Sequence, residues 1–206
     1  MAGSQQVSGA LASEIISEAQ YDYNETSTSF ITNAEWLRWL NDGAADVALK
    51  TLCMQTTETV TLVANTVDYA LTTDFIKVVA VRYVNASSVE RGLTEGHPKE
   101  VGNVQDRGEP DRYYEFGDSV GIYPTLASVT TETAKVFLAQ FPTVLATTDA
   151  LVTPAIYDST IKKYMLAQAA KKDKRFATYA GLIQEYNTEL AGSRQDLSGE
   201  KEEKQQ

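Results

Sequence analysis

Thiol and imidazole chemistry is nearly missing from this sequence. Its 206 residues hold one cysteine, Cys53, and one histidine, His97. A single cysteine closes no internal disulfide. One residue of each type is too few for a zinc site, which draws its ligands largely from these two. A Cys53–His97 nucleophile pair is the remaining option, and context argues against it. Cys53 ends an apolar-leaning stretch, AADVALKTLCM, where a buried packing role is expected, and His97 lies in a glycine-containing loop. Also absent are G-x-x-x-x-G-K-[ST], G-x-G-x-x-G, H-E-x-x-H and C-x-x-C. No metal and no cofactor is expected. No run of eighteen apolar residues occurs, so no membrane span is expected. The first residues, MAGSQQVSGALASEII, lack the basic region and apolar core of a secretory signal.

Positive charge is in short supply. Eighteen Lys and Arg stand against 28 Asp and Glu, a net charge of −10. The overall field therefore repels nucleic acid. Such a protein can line a path along which DNA slides without gripping it, although acidity that keeps the protein in solution is the plainer reading. Carboxylate pairs occur at Glu109/Asp111 and Glu115/Asp118. They are imaginable as a glycosidase pair. Acidic residues gather at turns for local backbone reasons, and that is the expected role here.

What is present is enough for a core. Hydrophobic residues make up 43% of the chain, and the length suits one domain with appended arms. Residues 1–8 are small and polar and are expected to be mobile. Leu11, Ile15, Ile16 and Ala19 predict a first helix over 9–23. Thr32 and Glu35 form a capping box, with Ile31 and Trp36 at the positions of a hydrophobic staple. Leu37, Leu40, Ala44 and Val47 then continue at helical spacing. Trp36 and Trp39 are three apart and so share a surface, expected to anchor this helix to the core. Next the period shortens. Val60, Leu62, Tyr69 and Leu71 bracket Asn65-Thr66 as a hairpin. The run FIKVVAVRYV (75–84) reads as a central strand. Residues 85–107 form a long loop, functional or shaped by a partner. Tyr113–Phe116 and Ser119–Tyr123 pair through Gly117-Asp118, where glycine permits the positive φ of a II′ turn. A strand over 134–141 follows. Thr153 and Pro154 then mark a helix start, with proline at the first helical position. Tyr157, Ile161, Tyr164 and Met165 form the apolar face of this helix. A break at 171–174 precedes a last helix on which Phe176, Tyr179, Ile183, Tyr186 and Leu190 step by three and four. From Gly192 the chain is polar and cannot bury enough apolar area to order itself alone.

The fold class is thus α+β. Helices from both ends of the sequence form one bundle, with a small antiparallel β domain in the middle and an extended C-terminal arm. The divisions are 1–53 (N-terminal arm and helices), 54–152 (β-rich region with the long loop), 153–191 (helices completing the bundle) and 192–206 (polar arm).

A basic cluster, Lys162, Lys163, Lys171, Lys172, Lys174 and Arg175, stands out in so acidic a chain. It reads as a solvated helix face or as the partner of an acidic patch on a neighbouring subunit. Contact with a DNA backbone is the less favoured third reading, because no aromatic–basic interleaving accompanies it.

Four segments in order carry a resemblance: EWLRWLNDGAADV; TVTLVANTVDYALTTDFIKVVAV, with its tyrosine, leucine and aspartate; EPDRYYEFGDSVGIYPTL; and LVTPAIYDSTIKKYMLAQAAKKD. Together they span about 34–172, and in this order the chain resembles the head-to-tail adaptor (connector, or head-completion) proteins of tailed bacteriophages. The resemblance implies a non-enzymatic structural protein of the phage neck, made in the bacterial host cytoplasm. It implies a ring, of twelve copies, beneath the portal protein. Such a ring extends the DNA channel, passes DNA without sequence-specific binding, and presents a surface to tail or nozzle proteins. By the same resemblance the C-terminal arm, with Arg194, Gln195, Asp196 and Leu197, docks on the portal. From charge alone, Lys162, Lys163, Lys171, Lys172 and Arg175 are expected at a subunit interface, opposite an acidic N-terminal helix region, and the loop with His97, Lys99 and Arg107 is expected to face the tail or the lumen. The arm's strong polarity departs from a large apolar docking contact. The alternatives are another virion component, such as a tail-completion or tail-tube-associated protein, and a carboxylate-dependent hydrolase.

Overall fold

The computed structural model describes residues 8–24, 30–100, 106–128 and 131–202, with backbone alone at residue 100 and from residue 193 on. The chain divides into two units, Met1–Cys53 with Pro142–Gln206, and Met54–Phe141.

The first unit is helical, with α1 (Ala12–Asp22), α2 (Asn33–Thr51), α3 (Asp158–Lys172) and α4 (Phe176–Glu202) among the described residues. α2 starts where the sequence predicts. Thr32 Oγ1 accepts the Glu35 amide at 3.3 Å, and Glu35 Oε2 accepts the Thr32 amide at 2.9 Å, so two orphan donors of the first turn are satisfied. Ile31 and Trp36 of the staple are both fully buried. Leu52, left-handed at φ 54°, closes the helix. α1 begins at Ala12, later than expected. Residues before it are extended and tied to the stretch ahead of α3: Ser8 N donates to Thr153 O at 3.0 Å, and Leu151 N donates to Ala10 O at 2.9 Å. That stretch belongs to this unit, with Leu145 and Leu151 buried in its core. Pro154 precedes a single 3-10 turn, Ala155–Tyr157, and α3 proper starts at Asp158.

Trp36, Leu40, Val47, Ile161, Met165 and Tyr186 are buried at the centre of this unit, Leu40, Val47, Ile161 and Met165 each contributing about 1.5–3 kcal/mol. Trp36 and Trp39 meet edge to face at 5.3 Å and 82°, an arrangement that suits their ring quadrupoles. α3 and α4 are separated at Asp173 and Lys174, the latter at φ 58°. The expected apolar face of α4 is only partly used. Tyr186 and Leu190 are buried, Tyr179 and Ile183 are half-buried, and Phe176 is 63% exposed. The break expected at Gly192 falls inside α4, whose backbone stays helical to Glu202. A helix already nucleated against a neighbour adds further hydrogen bonds at little cost. Residues 203–206 of the expected arm lie outside the described residues.

Among its described residues the second unit holds two four-stranded sheets. One has the order β1 (Gln55–Thr61), β8 (Thr133–Ala139), β3 (Lys77–Val84), β4 (Glu90–Gly92); the other has β2 (Asp68–Ala70), β7 (Ser119–Tyr123), β6 (Arg112–Phe116), β5 (Thr94–Glu95). The pairings between these strands are antiparallel except β5 with β6. The hairpin expected across Asn65-Thr66 does not form. β1 pairs with β8 and β2 with β7, so the turn carries the chain from one sheet to the other. Tyr69 holds that turn: its hydroxyl accepts the Val63 amide at 3.0 Å and donates to the carbonyl of Thr66 or Val63, at 3.0 and 3.2 Å. β3 is an inner strand, as its composition predicts. The aromatic hairpin also forms as predicted, with Phe116 opposite Ser119 and Gly117 at φ 58°. Leu62, Val81, Val120, Ile122, Val136 and Leu138 from both sheets share one buried core. The expected loop over 85–107 is partly structured by β4, β5 and a 3-10 turn, Pro98–Glu100.

Candidate interaction surfaces

The basic cluster is divided by the fold into two groups. Lys162, on α3, pairs with Glu18 at 3.3 Å and Asp22 at 3.1 Å on α1. Partial burial lowers its ammonium, but the hydrogen bonds it donates to Asp22 and Glu18 hold it above its ordinary value. Lys163 reaches α4, bonding Glu189 closely and Glu185 at 3.3 Å. Lys172 does most. Its ammonium donates to both oxygens of Glu35 at 2.7 Å and to the Phe30 carbonyl at 2.6 Å. It thereby locks the last turn of α3 onto the capping box of α2. The Lys172 hydrogen bond, followed by that of the Thr32 amide, lowers the Glu35 carboxyl to about 2.

The second group sits at the α3–α4 joint. Lys171 lies over the Tyr179 ring at 5.8 Å and Arg175 over the Tyr23 ring at 5.9 Å, contacts of modest strength. Neither these two nor Lys174 has a carboxylate within salt-bridge distance among the described residues. Phe176, exposed, follows directly. The joint thus presents three cations beside a bare aromatic ring.

In the β unit, His97 and Lys99 lie together just past β5, where His97 Nδ1 accepts the Lys99 amide at 3.1 Å. Arg107 is held differently: its guanidinium donates to Thr125 Oγ1 at 3.0 Å. Residues 101–105 between them lie outside the described residues. The backbone of Arg194, Gln195, Asp196 and Leu197 lies in α4.

Two of the carboxylates considered for hydrolysis, Glu115 and Glu109, are engaged in the scaffold. Glu115 Oε2 accepts the Val78 amide at 2.8 Å, and Glu109 pairs with Arg91 at 3.4 Å. Burial raises the Cys53 thiol above its ordinary value, the opposite of what a nucleophile requires. Among the described residues no group of three or more His, Cys, Asp and Glu could hold a metal ion, and no helix is long and apolar enough to cross a membrane.

One surface was not legible in the sequence. The segment after β2, the start of β3, the β6–β7 turn and the end of the unit enclose an open groove of about 640 Å³. Leu71, Phe75, Ile76 and Phe141 give it apolar walls, and Asp74, Glu115 and Asp118 contribute carboxylates. These residues are 47 positions apart in sequence between Leu71 and Asp118 and 23 more from Phe141, so no local pattern announces them. A second open surface runs along α4 past Ala180, Ile183, Asn187 and Ala191.

Residues 10–203 match the family model described as SU10 adaptor protein. The match covers most of the chain, and the chain belongs to that family of phage head-to-tail adaptors. No curated protein matches it.

Proposed function

We propose that this member of the SU10 adaptor protein family works as a ring. Copies close beneath the portal, extend the DNA channel and offer the tail its attachment surface. The observation that carries the reading is the family match over 10–203, which takes in both the helical and the β unit. The chemistry of the surfaces supports it. A closed ring needs two different patches on each subunit, and this chain offers cations at the α3–α4 joint and carboxylates on the β unit. At −10 per subunit, a ring repels phosphate and lets DNA pass without being held. In this reading α4 beyond Gly192, with Arg194, Gln195, Asp196 and Leu197, docks on the portal. Lys171 and Arg175 lie at the subunit interface, and His97, Lys99 and Arg107 face the tail or the bore.

Electron microscopy of the purified protein mixed with its portal tests the reading. A ring stacked on the portal is the expected image. A monomer that never engages the portal overturns it.

A further inference from the structure

The groove on the β unit and the joint on the helical unit are complementary in two respects at once. The groove has apolar walls, and two of its side chains, Phe75 and Phe141, are partly open to solvent. The carboxylates of Asp74 and Asp118 are exposed and lack a cationic partner among the described residues. Lys77, next along the chain, makes no ion pair with them. Glu115 adds a third negative charge, held in place by the Val78 amide. The joint carries the converse set: Lys174 and Arg175 without carboxylates, followed by Phe176 at 63% exposure. An aromatic side chain set among cations fits an apolar groove bordered by carboxylates. The aliphatic stems of lysine and arginine extend the apolar contact.

We propose that the groove receives the α3–α4 joint of a second copy of this chain, with Phe176 against Phe75 and Phe141 and with Lys174 and Arg175 meeting Asp74 and Asp118. The contact is heterologous: every copy offers one joint and one groove, so it repeats around a ring with neither left over. It rests on the ring reading and names its adhesive surfaces.

The test uses two full-length variants, Lys174→Glu with Arg175→Glu and Asp74→Lys with Asp118→Lys, assembled alone and in equimolar mixture, with and without portal. Sedimentation and electron microscopy read the protein concentration needed for rings. Each variant alone sets like charges against each other and raises that concentration by about tenfold or more. In the mixture the reversed joint meets the reversed groove and the native joint meets the native groove, so rings return at the wild-type concentration. Should a double reversal fail to fold, Lys174→Glu and Asp118→Lys, both at exposed side chains, are read the same way. Variants that assemble like wild type, or a mixture that fails to recover, overturn the contact and leave the ring standing. A groove variant that closes rings normally but loses a different virion protein also overturns it and gives the groove to that partner. A wild-type protein that forms no ring under any of these conditions overturns the ring reading, and this contact with it.

Discussion

Tyr114 lies directly over Gly121. A Cβ at residue 121 would stand 2.1 Å from Tyr114 Cζ, far inside contact distance. The space left by the missing side chain lets the Tyr114 ring cross β7 from β6. Its hydroxyl then reaches Asp68 Oδ1 on β2 at 2.7 Å, so one side chain ties three strands.

Gly121→Ala is therefore expected to destabilise the β unit by about 1–3 kcal/mol through forced displacement of the ring. Tyr114→Phe keeps the ring and removes the hydrogen bond, at a cost of about 1 kcal/mol. Urea denaturation of both variants measures this. In a Tyr114→Leu background the penalty of Gly121→Ala shrinks, because the obstructing ring is gone. An undiminished penalty would show that the strain lies elsewhere.

Lys172 and Glu35 make stability depend on acid. Folding lowers the Glu35 carboxyl from 4.5 to about 2, so the folded state holds the charged form more strongly than the unfolded chain does. Its contribution is complete above pH 4.5 and is lost as pH falls toward 2. Lys172→Met removes the largest cause of that shift. The variant is expected to be less stable than wild type at neutral pH, with the two curves converging as pH approaches 2. Urea midpoints across that range report it, and a constant gap would contradict the assignment.

Tyr69→Phe removes the hydroxyl that serves Val63 and Thr66. The expected cost is about 1 kcal/mol, because Val63 lies near solvent and water can replace part of the bond. Hydrogen exchange gives the sharper reading. The Val63 amide exchanges faster in the variant, while amides of β8 such as Val136 keep their protection.

Removal of 192–206 leaves Leu190, the last residue described as buried, in place. The melting temperature is expected to stay close to that of the full chain while portal docking weakens. A large fall in melting temperature would show that the segment packs within its own subunit.

What the sequence revealed and what it hid divide along physical lines. Thr32 and Glu35, or Gly117 and its flanking aromatics, act through bonds a few residues apart, and such signals are complete within a short window. The sheet partners of β1 and β2 are not. Alternation at Val60, Leu62, Tyr69 and Leu71 specifies two half-buried strands but not which strands they pair with, and their partners lie some 50 to 80 residues downstream. The lysines show the same limit. Lys162 and Glu18 are 144 positions apart, so a cation engaged inside the molecule and a cation left open look alike in the sequence. Phe176 follows helical spacing as faithfully as Tyr186, but it is largely exposed, whereas Tyr186 is buried and donates its hydroxyl to Asp46 on α2.

The helical unit takes in both flanks of the β unit, since Met1–Cys53 and Pro142–Gln206 belong together while Met54–Phe141 is continuous. During synthesis the β unit can be complete while α1 and α2 still wait for α3 and α4 to leave the ribosome. The buried face of α2, with Trp36 and Val47, lacks the cover of α3 until then. The final helices therefore time the appearance of a finished subunit, and a chain cut before α3 would display sticky surface in place of a seat for its neighbour.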